Sequence, residues 1–309
     1  MFATYMLRLA QPLRDMSLLI GMWINASAGL ERVHAMIDTP DEVKDNPEAK
    51  DFTIRKGVVE FRNVTFGYDK KRPVLRNMSF IIEPGERIAI LGATGSGKTS
   101  LVYLIPRFYD VDSGEVLIDS VQIDKYQLRS LRRQVGLVMQ DVFTFSGSIA
   151  DNIAFGRPQA TRDEITAAAK LAWIHDFIMT LPKGYDTLLG ERGVNLSGGQ
   201  RQRLTIARAL LTDPRILILD DSLSFVDANT EREIQNAIDE AMKGRTCFII
   251  AQRLSTIKNA DKIMVLDNGE IIEFGTHRQL LAQNGVYRRI YETQFLEEKT
   301  TLAQETKVN

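Results

Sequence analysis

A chain of 309 residues is long enough for one large α/β domain with attachments or for two average domains, and either can bury a sizeable core. Its 39 basic and 40 acidic residues leave a net charge of −1, so there is no basic field of the kind that argues for nucleic acid. The one cysteine, Cys247, rules out an intrachain disulfide and suits a reducing compartment; within the apolar run 246–251 it reads as a buried structural thiol.

The N-terminus differs in character from the rest. In residues 1–30 only Arg8, Arg14 and Asp15 are charged, and 16–30 is an uncharged run. That run falls short of the ~20 apolar residues that span a bilayer, and no signal-peptide cleavage pattern follows it. Three readings stand at this point: a partner-binding amphipathic helix, a core helix, or the cytoplasmic end of a membrane helix whose outer part is missing. Residues 31–56 turn to Asp, Glu, Lys and Pro and read as a linker. Alternating apolar and polar residues predict strands over 57–68 and 74–83, and Pro84-Gly85-Glu86 turns the chain into the apolar run 87–91. Further strands are expected at 115–118 and 135–139, and a helix over 161–181 with Thr161 as its cap. The continuous apolar run 216–219 suits a strand buried on both faces of a parallel sheet, as does 247–251. A helix is predicted over 229–243, and Asn268-Gly269 between 263–266 and 270–274 is a hairpin signal. The residues after Glu297 are polar and read as disordered.

Gly92-Ala93-Thr94-Gly95-Ser96-Gly97-Lys98-Thr99 fits G-x-x-x-x-G-K-[ST] in full, between a strand and a helix as that pattern requires. Its glycines let successive backbone N–H groups turn toward phosphates, Lys98 reaches the outer phosphates, and the Thr99 hydroxyl can ligate Mg²⁺. Asp220, at the end of the run 216–219, supplies a second hold on the metal when such a strand lies beside a phosphate loop.

Leu196-Ser197-Gly198-Gly199-Gln200-Arg201-Gln202-Arg203 resembles the signature sequence of ATP-binding cassette proteins. The resemblance covers Gly57 to about Glu297 and implies an α/β P-loop NTPase fold. Its parts would be a RecA-like core, an antiparallel β subdomain and an α-helical subdomain over about 142–213, with a polar tail at 298–309. It implies ATP and Mg²⁺ as cofactors. In the family two cassettes dimerise head to tail, each ATP lying between one chain's phosphate loop and the other's signature. Leu196, Ser197, Gly198, Gly199 and Gln200 would then face the partner's nucleotide, with Asp227 of Ser224-Phe225-Val226-Asp227 crossing the interface. Tyr68 resembles the aromatic that stacks on adenine. Gln140 resembles the loop glutamine that joins Thr99 and Asp220 at Mg²⁺ and links the nucleotide to the membrane domain.

Two segments are similar to the exporter branch of the family: residues 145–153, after Gln140, and 189–193, before the signature. In exporters they border the surface that receives the coupling helices of the membrane domain. Residues 1–38 resemble the end of an exporter's last membrane helix and its extension, which would leave 39–56 as linker and 57–297 as the cassette. The resemblance thus implies a partial half-transporter at the cell membrane, its cassette on the cytoplasmic side.

Two residues depart from the family's pattern. Asp221 stands where active members carry a catalytic Glu, one methylene longer, and catalysis falls steeply when a base is displaced by ~1 Å. Gln252 stands where they carry a switch histidine; it can hydrogen-bond a γ-phosphate but cannot change charge. His34, His175 and His277 lie elsewhere and are not catalytic candidates. By the resemblance both departures flank the nucleotide held by Lys98, while the signature is intact. This implies a heterodimer in which Asp221, Gln252 and Gln140 form a slow, degenerate site and a second half-transporter carries the Glu and His. The alternatives are a homodimer with Asp221 as a slower base, or a soluble cassette that serves no transporter.

Overall fold

The computed structural model describes residues 2–39, 41–139, 143–190, 196–220, 228–251 and 254–293. The chain divides into two units, residues 1–44 and 45–309. In the first, α1 (Phe2–Ile37) is one helix of 36 residues with Pro12 inside it, on the order of 54 Å long at 1.5 Å per residue. Leu18, Leu19, Met22, Trp23 and Ile24 are all exposed on it. Among the described residues no helix is long and apolar enough to cross a membrane.

The second unit begins with β1 (Val59–Phe66), β2 (Leu75–Ile82), β3 (Arg87–Leu91) and α2 (Lys98–Leu104). β4 (Ser113–Ile118), β5 (Val121–Gln122), α3 (Leu128–Gln134) and β6 (Val135–Val138) follow. Next come the small strand β7 (Gly147–Ser148), α4 (Ile149–Ala154), α5 (Arg162–Leu171), α6 (His175–Thr180), β8 (Leu188–Leu189) and α7 (Gly198–Leu211). The unit closes with β9 (Ile216–Asp220), α8 (Ala228–Met242), β10 (Thr246–Ile250), α9 (Leu254–Lys258), β11 (Lys262–Asp267), β12 (Glu270–Gly275) and α10 (His277–Ala282).

These strands form an antiparallel sheet, β2-β1-β4-β5, a six-stranded sheet, β12-β11-β3-β10-β9-β6, parallel except at the β12 edge, and a small antiparallel pair, β7-β8. The continuous apolar runs follow from burial of the larger sheet on both faces. Ala89, Leu91, Leu217, Leu219, Cys247 and Ile249 pack into one cluster with residues of α4, α5, α7 and α8. Their neighbours along the strands, Ile88, Ile90, Ile216, Ile218, Phe248 and Ile250, pack into a second cluster with β1, β2, β4 and α2. Burial pushes the Cys247 thiol up to about 12, which keeps it protonated and inert.

The structure differs from the expected single helix over 161–181. Thr161 does cap α5, its hydroxyl accepting from the Glu164 N–H while the Glu164 carboxylate accepts from the Thr161 N–H. The helix then stops at Leu171, and Trp173 takes a left-handed φ of 54°. The reversal lets Ile165 of α5 and Ile174 and Ile178 at α6 reach the same core. In the hairpin, Asn268 (φ 48°) and Gly269 (φ 81°) make the turn with both residues left-handed, as such a turn requires.

Part of the expected linker docks on the cassette. Asp45 accepts the Leu128 N–H at 2.7 Å, and Gln134 both accepts from the Ile54 N–H at 2.6 Å and donates to the Phe52 carbonyl at 2.8 Å. Asp119 accepts four successive backbone N–H groups, from Arg55, Lys56, Gly57 and Val58, at 2.7, 2.9, 2.9 and 3.0 Å. Losing this carboxylate strands four donors at the entrance to β1. Asp119→Ala is expected to lower cassette stability by about 2 kcal/mol, read from the urea midpoint at unchanged m-value.

Candidate nucleotide-binding site

The parallel register brings the chemistry to one end of the larger sheet. Ile90 of β3, Ile250 of β10 and Asp220 of β9 are Cα partners in adjacent strands, so the strands end level and the loops that follow open on the same edge. In open α/β sheets ligands bind at this carboxyl edge.

Directly after β3 the glycine loop turns into α2. At Gly92 (φ 152°) an added Cβ would lie 2.4 Å from the Leu266 carbonyl oxygen, and at Gly97 (φ 100°) it would lie 2.7 Å from Leu75 Cδ2, so both positions require glycine. Lys98 Nζ donates to the carbonyls of Gly92 and Ala93 at 2.8 and 2.9 Å, which holds the ammonium over the loop. Ser96 is buried at 4% exposure, and its Oγ has no hydrogen-bond partner among the described residues. An orphaned hydroxyl in a loop of this shape fits a phosphate oxygen.

Asp220 is buried at 7% exposure at the end of β9. Burial raises its pKa above the ordinary carboxylate value; the Lys98 charge and a hydrogen bond with Thr99 oppose that rise. The Thr99 hydroxyl and the Asp220 carboxylate are hard oxygen donors of the kind Mg²⁺ takes. Among the described residues no group of three His, Cys, Asp or Glu side chains could hold a metal by itself, so these two suit an ion that completes its shell with phosphate oxygens and water.

Tyr68 follows β1 and is 59% exposed. Its hydroxyl lies 3.0 Å from Ser100 Oγ on α2, and its ring makes edge contacts with Phe66 and Tyr109, each at 5.1 Å between centroids. The ring is therefore fixed beside the phosphate-loop helix with area left to stack on a base. Ser100 and Tyr109 were not legible as site residues: nothing in the spacing of 100 or 109 links them to position 68.

The signature stands on a separate element, the N-terminus of α7. Leu196 is buried in the helical cluster, while Ser197 and Gly198 are exposed. Ser197 Oγ accepts the Gln200 N–H at 3.3 Å and Gln200 Oε1 accepts the Ser197 N–H at 2.9 Å, closing a capping box. A Cβ at Gly198 would meet nothing within 4 Å. No packing among the described residues demands glycine there. Of the expected site residues, Gly92 through Thr99 and Asp220 come together, Tyr68 joins them through Ser100, and Leu196 to Gln200 stand apart at the start of α7, with Ser197, Gly198 and Gln200 at its surface and Leu196 and Gly199 buried. Gln140, Asp221, Asp227 and Gln252 lie outside the described residues.

The raised Asp220 pKa carries a sign. The folded state binds the proton more tightly than the unfolded chain, so stability falls as pH rises from the ordinary carboxylate value toward the raised one. Asp220→Asn is therefore expected to melt higher than the unchanged protein at pH 7.5 without nucleotide, with the gain shrinking toward pH 4. The same change should weaken Mg-ATP binding by about tenfold or more, equivalent to ~1.4 kcal/mol. Thermal unfolding and nucleotide titration check the two halves.

Comparison with known proteins accords with this geometry. Residues 75–224 match the family described as ABC transporter. The chain is 46% identical over 298 residues to the ATP-dependent lipid A-core flippase of Syntrophus aciditrophicus (strain SB), covering 96% of this chain and 49% of that protein. It is 46% identical over 294 residues to an uncharacterised ABC transporter ATP-binding protein, YfiC, of Bacillus subtilis (strain 168), covering 95% of this chain and 49% of that one. The structure of a bacterial Atm1-family ABC exporter with ATP bound superposes with a TM-score of 0.80 at 43% identity, over 86% of this chain and 46% of the other. The chain thus spans about half the length of the curated relatives it matches. With the phosphate loop, the strand-end Asp220 and the capped signature helix in place on this fold, the chain carries an ABC ATPase cassette.

Proposed function

We propose that the chain is the ATP-binding part of an ABC exporter, that it holds Mg-ATP at a slow, degenerate site, and that it pairs with a second half-transporter which supplies the faster site. The observation that carries the nucleotide reading is the convergence of Lys98, Thr99 and buried Asp220 at the level strand ends, with the Ser96 hydroxyl of the same loop buried and without a partner among the described residues. The names of the flippase and exporter relatives support export as the work that ATP drives.

When bound, Mg-ATP supplies a triphosphate that bridges two cassettes and an anhydride bond to cleave. The chain's own residues would do the rest. Tyr68 stacks the base. Backbone N–H groups of Gly92 to Thr99 and the Lys98 ammonium hold the phosphates, while Thr99, Asp220 and Gln140 hold the cation. Asp221 takes the proton of the attacking water from a shorter reach than glutamate, and Gln252 orients the γ-phosphate without a charge change. Leu196, Ser197, Gly198, Gly199 and Gln200, with Asp227, serve the partner's nucleotide, and the open space at Gly198 supports a close approach from outside the chain. Closure of the pair passes through the loop after Gln140 to the coupling helices of a membrane domain, with α1 continuing that domain's last helix. The cassettes lie on the cytoplasmic side of the cell membrane.

The degenerate reading rests on Asp221 and Gln252, each of which follows one of the adjacent strands β9 and β10 in the sequence. Asp221→Glu combined with Gln252→His is expected to raise ATP turnover in the assembled complex, while the unchanged chain alone binds Mg-ATP and hydrolyses it very slowly. Turnover by the isolated chain at about 1 per second, within the usual enzyme range, overturns the degenerate site. A symmetric assembly that is fully active without a second polypeptide overturns the heterodimer.

A further inference from the structure

Arg208 lies on α7, eleven residues beyond Ser197, or about 16 Å along the helix at 1.5 Å per residue. Its guanidinium donates in three directions: Nε to the Asn152 carbonyl at 2.8 Å, Nη2 to Asn152 Oδ1 at 3.0 Å, and Nη1 to the Phe143 carbonyl at 2.9 Å. Its Cζ sits 5.2 Å from the Phe145 ring and 5.9 Å from the Phe155 ring, and those rings stack 3.8 Å apart at 11°. Asn152 is buried at 1% exposure; it accepts the Phe145 N–H at 2.8 Å and donates to the carbonyls of Phe145 and Ser148 at 2.9 and 3.0 Å. Two side chains therefore hold four backbone polar groups of residues 143–148, the segment that begins three residues after Gln140.

The way the charge is satisfied matters. Burial lowers the Arg208 pKa to about 10, which leaves it cationic at neutral pH, and among the described residues none of its hydrogen bonds goes to a carboxylate. Carbonyl dipoles and ring faces hold it instead. Such contacts are short-ranged and directional, and the planar fork meets all of them in a single arrangement of α7, α4 and the 143–148 segment. A swing of one element against another would leave a buried guanidinium with lost partners, which is costly.

We propose that Arg208, with Asn152, is a positioning residue that makes the segment after Gln140 and the signature helix α7 move as one body, and so sets where Ser197 meets the neighbouring nucleotide. The inference rests on the nucleotide reading above and adds a path within one chain from the expected cation ligand loop to the signature.

Arg208→Lys in the full-length assembled transporter tests it, because lysine keeps the charge but lacks the planar fork that meets Phe143 and Asn152 together. ATP turnover is expected to fall about tenfold, while trinitrophenyl-ATP affinity at the phosphate loop stays within about twofold. Ser197→Ala and Arg208→Lys should be non-additive, the double variant turning over within about twofold of Ser197→Ala alone. Amide hydrogen exchange at residues 197–200 should be faster in Arg208→Lys whether or not the complex is turning over. Unchanged turnover and exchange, multiplicative losses with Ser197→Ala, or a turnover loss matched by lost nucleotide affinity each overturn the proposal. If Arg208→Lys does not fold, Phe145→Leu, which removes the ring under the guanidinium, carries the same measurements with the same expected signs. An unchanged complex that binds ATP without hydrolysing it overturns the transporter reading instead, and the exchange measurement still decides the clasp.

Discussion

The cassette depends on a parallel sheet buried on both faces. Because successive side chains of β3, β9 and β10 point alternately into two apolar layers, a slip of one residue would send Leu217 and Leu219 into the layer built for Ile216 and Ile218. Register is therefore fixed by packing on two sides. One consequence is that Asp220 falls level with Ile250 and Ile90, and the glycine loop begins two residues past that line. Site geometry is inherited from the core.

Stability is given up at the site to keep that geometry. Asp220 is a buried carboxylate whose charge is opposed by burial and only partly recovered through Lys98 and Thr99. Ser96 is buried without a partner among the described residues. The glycines at 92 and 97 hold positive φ at close contacts that no side chain would tolerate. Each feature is unfavourable for the isolated fold and favourable for a ligand that brings phosphate oxygens and a divalent cation. The helix starts show the opposite tendency: α4, α5, α7 and α10 all close capping boxes through Ser148, Thr161, Ser197 and Thr276. At α7 the cap has a double use, since the same exposed serine is the group expected to meet a neighbour's nucleotide.

The two surfaces of the chain are thus built differently. The phosphate-loop surface is preorganised by the larger sheet, whereas the signature helix packs into the helical cluster, where its Arg208 is bonded to Asn152. On the proposed reading, a chain that holds one nucleotide and completes the site of another needs both surfaces to be rigid and their connection to be defined.

Much of this was legible in the sequence, where the governing interactions are local or periodic. The apolar runs announced two-sided burial, Asn268-Gly269 announced the hairpin, Thr161 announced a cap three residues ahead of Glu164, and the glycine loop announced the turn between a strand and a helix. What the sequence could not show are contacts between residues far apart in the chain. Asp119 holds the backbone of residues 55–58, Gln134 holds residues 52 and 54, Tyr68 meets Ser100, and Arg208 reaches back to Phe143 and Asn152. Only the folded chain brings these groups within hydrogen-bond range, since a single polar side chain carries no periodicity that marks its partner. The break at Trp173 belongs with them: helical spacing continues through it, and the turn there lets Ile165 and Ile178 both pack into one core. The sequence by itself determined which chemistry the chain carries; the tertiary structure decided which backbone groups that chemistry is tied to, because those ties depend on three-dimensional proximity and not on spacing.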